Sequence, residues 1–292
     1  MRQPISKKMR KGLVFLAYMR LVTIDQFAFA TELSRKHCSD WLHSEAMKKN
    51  LGTCGDQPLD GNGRAPKVYY LKRKGWAYYT DEELIELGDF VNSKPVSNWS
   101  QGMKHRLNTV TLTQRIGRAA ARTSGGGLVA HRFDFKKERF MGKVLPETQD
   151  YTSSQVNNDT RLVPDAAFFV KTPDDHKALM FLETDMGTEG IKGRTPRDGS
   201  IETKLRKYER YLASGKFQAR YADWHNFPSF RVLLVTTSNK RIANIRNKLA
   251  HMDEGLHDLF RFTTHEAIAQ EPMGSIWVNR NHADARRYGF WE

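Results

Sequence analysis

Cysteine is almost absent: the 292 residues hold only Cys38 and Cys54. No Cys-x-x-Cys pair exists, which excludes a zinc ribbon, and so low a count fits a reducing cytoplasm in which a structural disulfide is not expected. No apolar run approaches the roughly eighteen residues that a membrane-spanning helix requires. The opening Met1-Arg-Gln-Pro-Ile-Ser-Lys-Lys has no apolar core of the kind a secretory signal carries. Ten histidines occur, yet none forms a His-x-His pair, and no His-x-x-x-His lies near the carboxylates discussed below. That pattern argues against a histidine-held metal. No internal repeat is visible. The expectation is a cytoplasmic protein with no membrane segment.

Acidic residues are also in short supply against basic ones, 33 against 47, giving a formal charge of +14 and a pI near 9.7. Charge of this sign suits a polyanionic partner, although it also serves plain solubility. It is concentrated at the N-terminus, where residues 1–80 hold fifteen Lys and Arg against six Asp and Glu. Apolar periodicity predicts a helix from Lys8 to Leu21. Thr23 with Gln26 has capping-box spacing and starts a second helix, and Ser34 caps a third that runs to about Lys49. On the third helix Cys38, Trp41, Leu42 and Ala46 share one face. Arg35, Lys36, Ser39, Asp40 and His43 fall mostly on the other. A turn-rich stretch from Gly52 to Gly63 then leads to a strand, Val68-Tyr-Tyr-Leu71, followed by basic Lys72-Arg73-Lys74. Three helices and a basic hairpin match a winged helix-turn-helix, whose third helix enters the major groove of double-stranded DNA while the wing touches its backbone. A helical bundle with a solvated basic face is the plainer reading of the same pattern.

Residues 81–97 read as a linker with a short acidic helix, which divides the chain into 1–95 and 96–292. A long helix from Asn98 to about Ser124 follows, ended by glycines. Beyond it strands and helices alternate: strands at Leu128–Phe135, Leu162–Val170, Lys177–Asp185 and Arg231–Thr237, helices at Ile201–Ser214 and Lys240–Leu249, and short edge strands at Phe260–Phe262 and Ser275–Val278. Phe140–Ser153 reads as loop or hairpin. The fold class is therefore α/β (α+β) with a central mixed sheet.

Three acids stand at the ends of apolar strands: Asp165 after Pro164, then Glu183 and Asp185 after Leu-Met-Phe-Leu182. Alternation puts Glu183 and Asp185 on one strand face, where unpaired carboxylates are costly to bury. Mg²⁺ or Mn²⁺ would relieve that cost and could assist in-line attack on a phosphodiester. Salt bridges to nearby Lys and Arg would relieve it equally. Lys204, Lys207, Tyr208 and Tyr211 share a helical face. Lys204 is a candidate for stabilising charge on the phosphate. Tyr208 is a candidate supporting group, a stacking surface or a nucleophile, with a core tyrosine the simpler alternative. His105, on the long helix, is a further candidate. The cations and aromatics of Asn279–Trp291 would suit either single-stranded DNA or packing onto the domain.

Val68-Tyr-Tyr-Leu71 with Gly75, the His105 helix, Val163-Pro-Asp165-Ala, Phe181-Leu-Glu183-Thr-Asp185-Met-Gly-Thr-Glu189 and Lys204-Leu-x-x-Tyr208 resemble the replication-relaxation family over about residues 10–240. Its members occur on plasmids, phages and integrative elements. The resemblance implies an N-terminal winged helix and a C-terminal domain similar to restriction endonucleases of the PD-(D/E)xK type, related to plasmid relaxases that nick a transfer origin with a metal and carboxylates. It makes Asp165 the proline-preceded acid and Glu183 the start of the acid-x-lysine motif, with Asp185 where that motif carries lysine. Three arrangements stay open: Lys204 supplies the cation, Asp185 adds a metal ligand beside Asp165 and Glu183, or the domain binds DNA without cutting it. The expected activity is metal-dependent DNA nicking or cleavage for a mobile element, and the alternative is a sequence-specific replication or regulatory protein. Duplex DNA is the expected partner, single-stranded DNA a second, and a homodimer one open arrangement.

Overall fold

The computed structural model describes residues 5–54, 58–59, 63–64, 67–72, 74–75, 101–122, 127–140, 142–171, 174–193, 199–252 and 254–292. The expected linker over 81–97, the first residues of the long helix and Arg73 lie outside them. The chain divides into two compact units, Met1–Thr111 and Leu112–Glu292, so the division falls inside the long helix.

In the first unit α1 (Lys7–Met19) buries Met9, Leu13, Leu16, Ala17 and Met19 along one stripe. Strand β1 (Val22–Thr23) leads into α2 (Ile24–Thr31) through the expected capping box. Gln26 N donates to Thr23 Oγ1 at 3.2 Å, and Thr23 N donates to Gln26 Oε1 at 2.9 Å. The buried Gln26 amide also reaches Leu107 O at 2.8 Å and Thr111 Oγ1 at 2.9 Å, pinning α2 to α5 (Gln101–Arg122). α3 (Arg35–Leu42) stops earlier than periodicity suggested. His43 Nδ1 lies 2.8 Å from the Ser39 carbonyl, and Ser44 turns to extended geometry before the short α4 (Glu45–Lys48). A side-chain contact to an i−4 carbonyl in this way competes with continuing the helix. Strands β2 (Leu51–Cys54) and β5 (Val68–Leu71) form an antiparallel hairpin, with β1 on the far side of β5. A small pair, β3 (Pro58–Leu59) and β4 (Gly63–Arg64), lies within that hairpin's connection.

The second unit is built on a five-stranded mixed sheet of order β14-β13-β12-β11-β6. β6 (Gly127–Phe133), β11 (Ala166–Lys171) and β12 (Lys177–Thr184) pair antiparallel. β13 (Phe230–Thr236) and β14 (Phe260–Thr264) continue parallel to β12. The hairpin expected within 140–153 begins earlier, as β7 (Lys137–Phe140) with β8 (Lys143–Pro146), and β9 (Asp150–Tyr151) pairs with β10 (Arg161–Leu162). Around Ser275–Val278 only isolated bridges form, Phe262 to Val278 and Trp277 to Tyr288. Among the described residues no helix is long and apolar enough to cross a membrane.

Helix α6 (Ile201–Ser214) is the element that matters most for the site. Ser200 Oγ accepts from Thr203 N at its start, and Gly215 ends it with φ 65°, a left-handed position that glycine adopts without strain. Its Ile201, Leu205, Tyr208 and Tyr211 bury against β12. Phe181 is the hub there, with ring centroids 4.9 Å from Phe230, 5.5 Å from Tyr221 and 5.6 Å from Tyr208. Helices α7 (Lys216–Arg220), α8 (Asn239–Lys248) and α9 (His265–Gln270) complete the unit. The C-terminal segment packs its aromatics inward. Trp277 and Phe290 are buried, and Arg280, fully buried, lies 3.4 Å from Glu209 of α6.

Candidate active site

The register of β11 and β12 brings two acids to the same end of the sheet. Ala166 pairs with Leu182, so Asp165 and Glu183 stand just beyond a matched pair on adjacent strands. Thr184 N donates to Asp165 Oδ2 at 2.6 Å, tying the Asp165 carboxylate directly to the β12 backbone next to Glu183. Thr148 Oγ1 donates to Pro164 O at 2.6 Å and anchors the preceding turn.

Strand alternation puts Glu183 on the same face as Leu179 and Phe181, the face that α6 covers. Two residues of α6 therefore reach it, one turn apart. Lys204 Nζ lies 2.8 Å from Glu183 Oε2, and Tyr208 OH donates to Glu183 Oε1 at 2.5 Å. Glu183 is 2% exposed and the Lys204 side chain 25%, so the acid is sealed and its cation opens toward solvent. Lys204 also approaches Glu189 Oε1 at 3.3 Å.

The electrostatics follow from this packing. Burial pushes Glu183 up to about 7; the charge of Asp165 adds to the rise and the Lys204 ammonium opposes it. Burial alone would lower Lys204, but Glu183, Asp165 and Glu189 outweigh it and hold the ammonium above its ordinary value. Burial and the adjoining Glu183 raise the Tyr208 phenol well above its ordinary value. That direction does not favour a nucleophile, and in this structure the phenol is a hydrogen-bond donor to Glu183.

Asp185 goes elsewhere. Although two residues from Glu183, it lies past the end of β12, and its carboxylate turns to β13 and α8. Thr236 Oγ1 donates to Oδ2 at 2.6 Å, Arg241 Nε to Oδ2 at 2.9 Å, Arg241 Nη2 to Oδ1 at 3.2 Å, and Gly187 N to Oδ1 at 2.9 Å. Burial would raise this acid, but the bonds from Arg241, Thr236 and Gly187 prevail and hold it below the usual carboxylate range. The same guanidinium donates to Glu189 O at 2.6 Å, so Arg241 also fixes the loop that presents Glu189 to Lys204. Among the described residues no cluster of three or more His, Cys, Asp or Glu is disposed to hold a metal ion. The structure thus joins Asp165, Glu183, Lys204 and Tyr208 and draws Asp185 away from them. No spacing in the sequence points to Arg241, which is 56 residues from its acid.

The candidate DNA-reading residues all belong to the first unit. Arg35 and Lys36 are exposed, with Arg35 Nε 2.8 Å from Asp25 Oδ1. Ser39 and His43 contact each other, and His43 Nε2 lies 3.2 Å from Tyr69 OH. Lys72 folds back to Lys48 O at 3.0 Å, and Lys74 is exposed. His105 also sits in this unit, its carbonyl accepting from Thr109 Oγ1 at 3.2 Å.

The family model for replication-relaxation matches residues 13–226. The chain belongs to the replication-relaxation family. Its name ties the family to replication and relaxation, work done on DNA, and the match spans both the helical unit and the Asp165–Glu183–Lys204 constellation. No curated protein and no solved structure matches the chain.

Proposed function

We propose that this replication-relaxation protein nicks or cleaves DNA for a mobile element by metal-assisted phosphodiester chemistry at Asp165, Glu183 and Lys204. The observation that carries the reading is the pairing of two strand-end carboxylates with one helix-borne lysine, the parts of a PD-(D/E)xK site with the lysine supplied by α6. Asp185 stands where that motif's lysine would be, and Lys204 compensates by reaching Glu183 from outside the strand. The first unit reads as a winged helix: three helices and the short α4, then a hairpin whose strand β5 pairs on both sides, with β2 and with β1. Arg35, Lys36, Ser39, His43 and Lys74 would meet duplex DNA there.

The donor set fits Mg²⁺ or Mn²⁺, which take one or two carboxylates and fill the remaining positions with water and phosphate oxygens. Asp165 and Glu183 would hold the ion, and Asp185, committed to Arg241, would not. The raised Glu183 supports this, because a buried carboxylate that resists ionisation gains from an added cation. The ion would polarise the phosphate and lower the pKa of a bound water. Lys204 would pass its ammonium from Glu183 to the phosphate oxygens and stabilise the charge that builds on them. Tyr208 would hold Glu183 in place through its hydrogen bond to Oε1.

The Asp185–Arg241 clamp supports a second reading, in which the domain binds DNA without cutting it. Incubating supercoiled plasmid with the protein and Mg²⁺ or Mn²⁺ separates the two. Nicked or linear product that disappears with chelator and with Glu183→Gln, while DNA binding persists, supports catalysis. Unchanged topology with every metal supports the binder.

A further inference from the structure

Next to Lys204 the second unit carries a groove of about 430 Å³, lined among others by Asp159, Arg161, Leu162, Ser200, Lys204 and Lys207. Three cations face one carboxylate across it. Lys204 has its counter-ions, Glu183 and Glu189. Among the described residues Arg161 and Lys207 make no salt bridge, and Asp159 is the one acid in the lining that acts on Lys207: Arg161 Nε donates to Gln149 Oε1 at 3.2 Å, and Lys207 Nζ donates to the carbonyls of Asn158 and Arg161 at 3.1 and 2.9 Å. Those neutral bonds hold the side chains in place, and with one acid against three cations the lining keeps a net positive charge. The first N–H groups of α6 take no part, since Ile201, Glu202 and Thr203 donate to Gly190 O, Ile191 O and Ser200 Oγ.

We infer that this groove holds the sugar-phosphate backbone of the DNA strand beside the phosphate that reacts, with Arg161 and Lys207 as the residues that grip it. The inference rests on the reading of the Glu183 site given above. Lys204 lines the same groove as Arg161 and Lys207, so a strand phosphate seated between those two would leave its neighbour within reach of the ammonium. Its apolar lining is aliphatic, Leu162 and Val163, and among the described residues no aromatic side chain lines the groove. Base stacking of the kind that marks single-strand base pockets is therefore not available, whereas cations and a hydroxyl suit a backbone.

The test uses the full chain and a fluorescein-labelled oligonucleotide, single-stranded and duplex, with anisotropy followed from about 50 to about 200 mM KCl. Arg161→Gln combined with Lys207→Gln keeps a hydrogen-bond donor at each place and removes both charges. The logarithmic salt slope should become shallower by about 1 to 2, equally across sequences. Arg161→Lys with Lys207→Arg should restore it. Removing two exposed cations elsewhere, Lys248→Ala with Arg287→Ala, should leave the slope near that of the wild type. An unchanged slope in the Gln pair, or an equal loss in the control pair, would overturn the groove, as would failure of the wild type to bind either probe. Nicking is not part of this readout. A protein that cuts but keeps its slope refutes the groove alone, and one whose slope falls without cutting refutes the reaction alone.

Discussion

Glu183 and Asp185 are two residues apart and leave the same strand, yet their surroundings differ in kind. On the α6 side, Glu183 meets one ammonium and one phenol, sits beside a second carboxylate, and is raised to about 7. On the α8 side, Asp185 meets a guanidinium through both oxygens, a hydroxyl and a backbone N–H, and is held low. A carboxylate with four donors is finished; it orients a loop and adds stability. A carboxylate held against its own ionisation still has something to gain from a cation. On the proposed reading the difference separates a structural acid from a reactive one more sharply than the sequence motif, which presents the two as a pair.

The largest effect should come from Glu183→Gln. Plasmid nicking should fall by at least about 10²-fold, with duplex affinity kept, because the group that carries the proton and the cation is gone. Asp185→Asn, measured per folded molecule, should retain most of the activity. Equal losses in the two variants would erase the distinction. Next is Arg241→Ala, which leaves Asp185 buried without its counter-ion and should cost about 3–5 kcal/mol in urea unfolding. Tyr208→Phe removes a single hydrogen bond to a charged acceptor, at about 1.5–3 kcal/mol. It should lower activity more than it shifts binding.

The smallest and most diagnostic effect is in pH. Glu183 is raised in the folded state, so its contribution to stability is full below about 4.5 and is lost as pH climbs through about 7. Asp185 is lowered, so its contribution is present above about 4 and is lost as pH falls through its folded value. Unfolding free energies measured at successive pH values should therefore lose their decline between pH 4.5 and 7 in Glu183→Gln, and part of their acid collapse below pH 4 in Asp185→Asn. Exchanged behaviour would mean the two environments have been assigned to the wrong acids.

Much of the frame was legible from local chemistry. α6 begins and ends where Ser200 and Gly215 say it should, and β12 follows its apolar run to within one residue. The Thr23–Gln26 capping box formed as spaced. Lys204 and Tyr208 were legible together because helical spacing is a local property. What escaped depends on contacts distant in sequence. The approach of His43 to the Ser39 carbonyl shortens α3, and Tyr69, on the hairpin strand β5, helps hold that ring. Glu189 is brought to Lys204 by a loop whose course no periodicity encodes. Asp185 looked equivalent to Glu183 because alternation assigns faces only while the strand lasts, and β12 ends at Thr184.

The central claim, that Glu183 with Asp165 is the cation-dependent centre and Asp185 is not, is tested most directly by Mn²⁺ binding followed by calorimetry or electron paramagnetic resonance in the absence of DNA. The account predicts that Mn²⁺ binds the wild type and Asp185→Asn with similar affinity and that Glu183→Gln abolishes binding. Binding that survives Glu183→Gln and is lost in Asp185→Asn would contradict it.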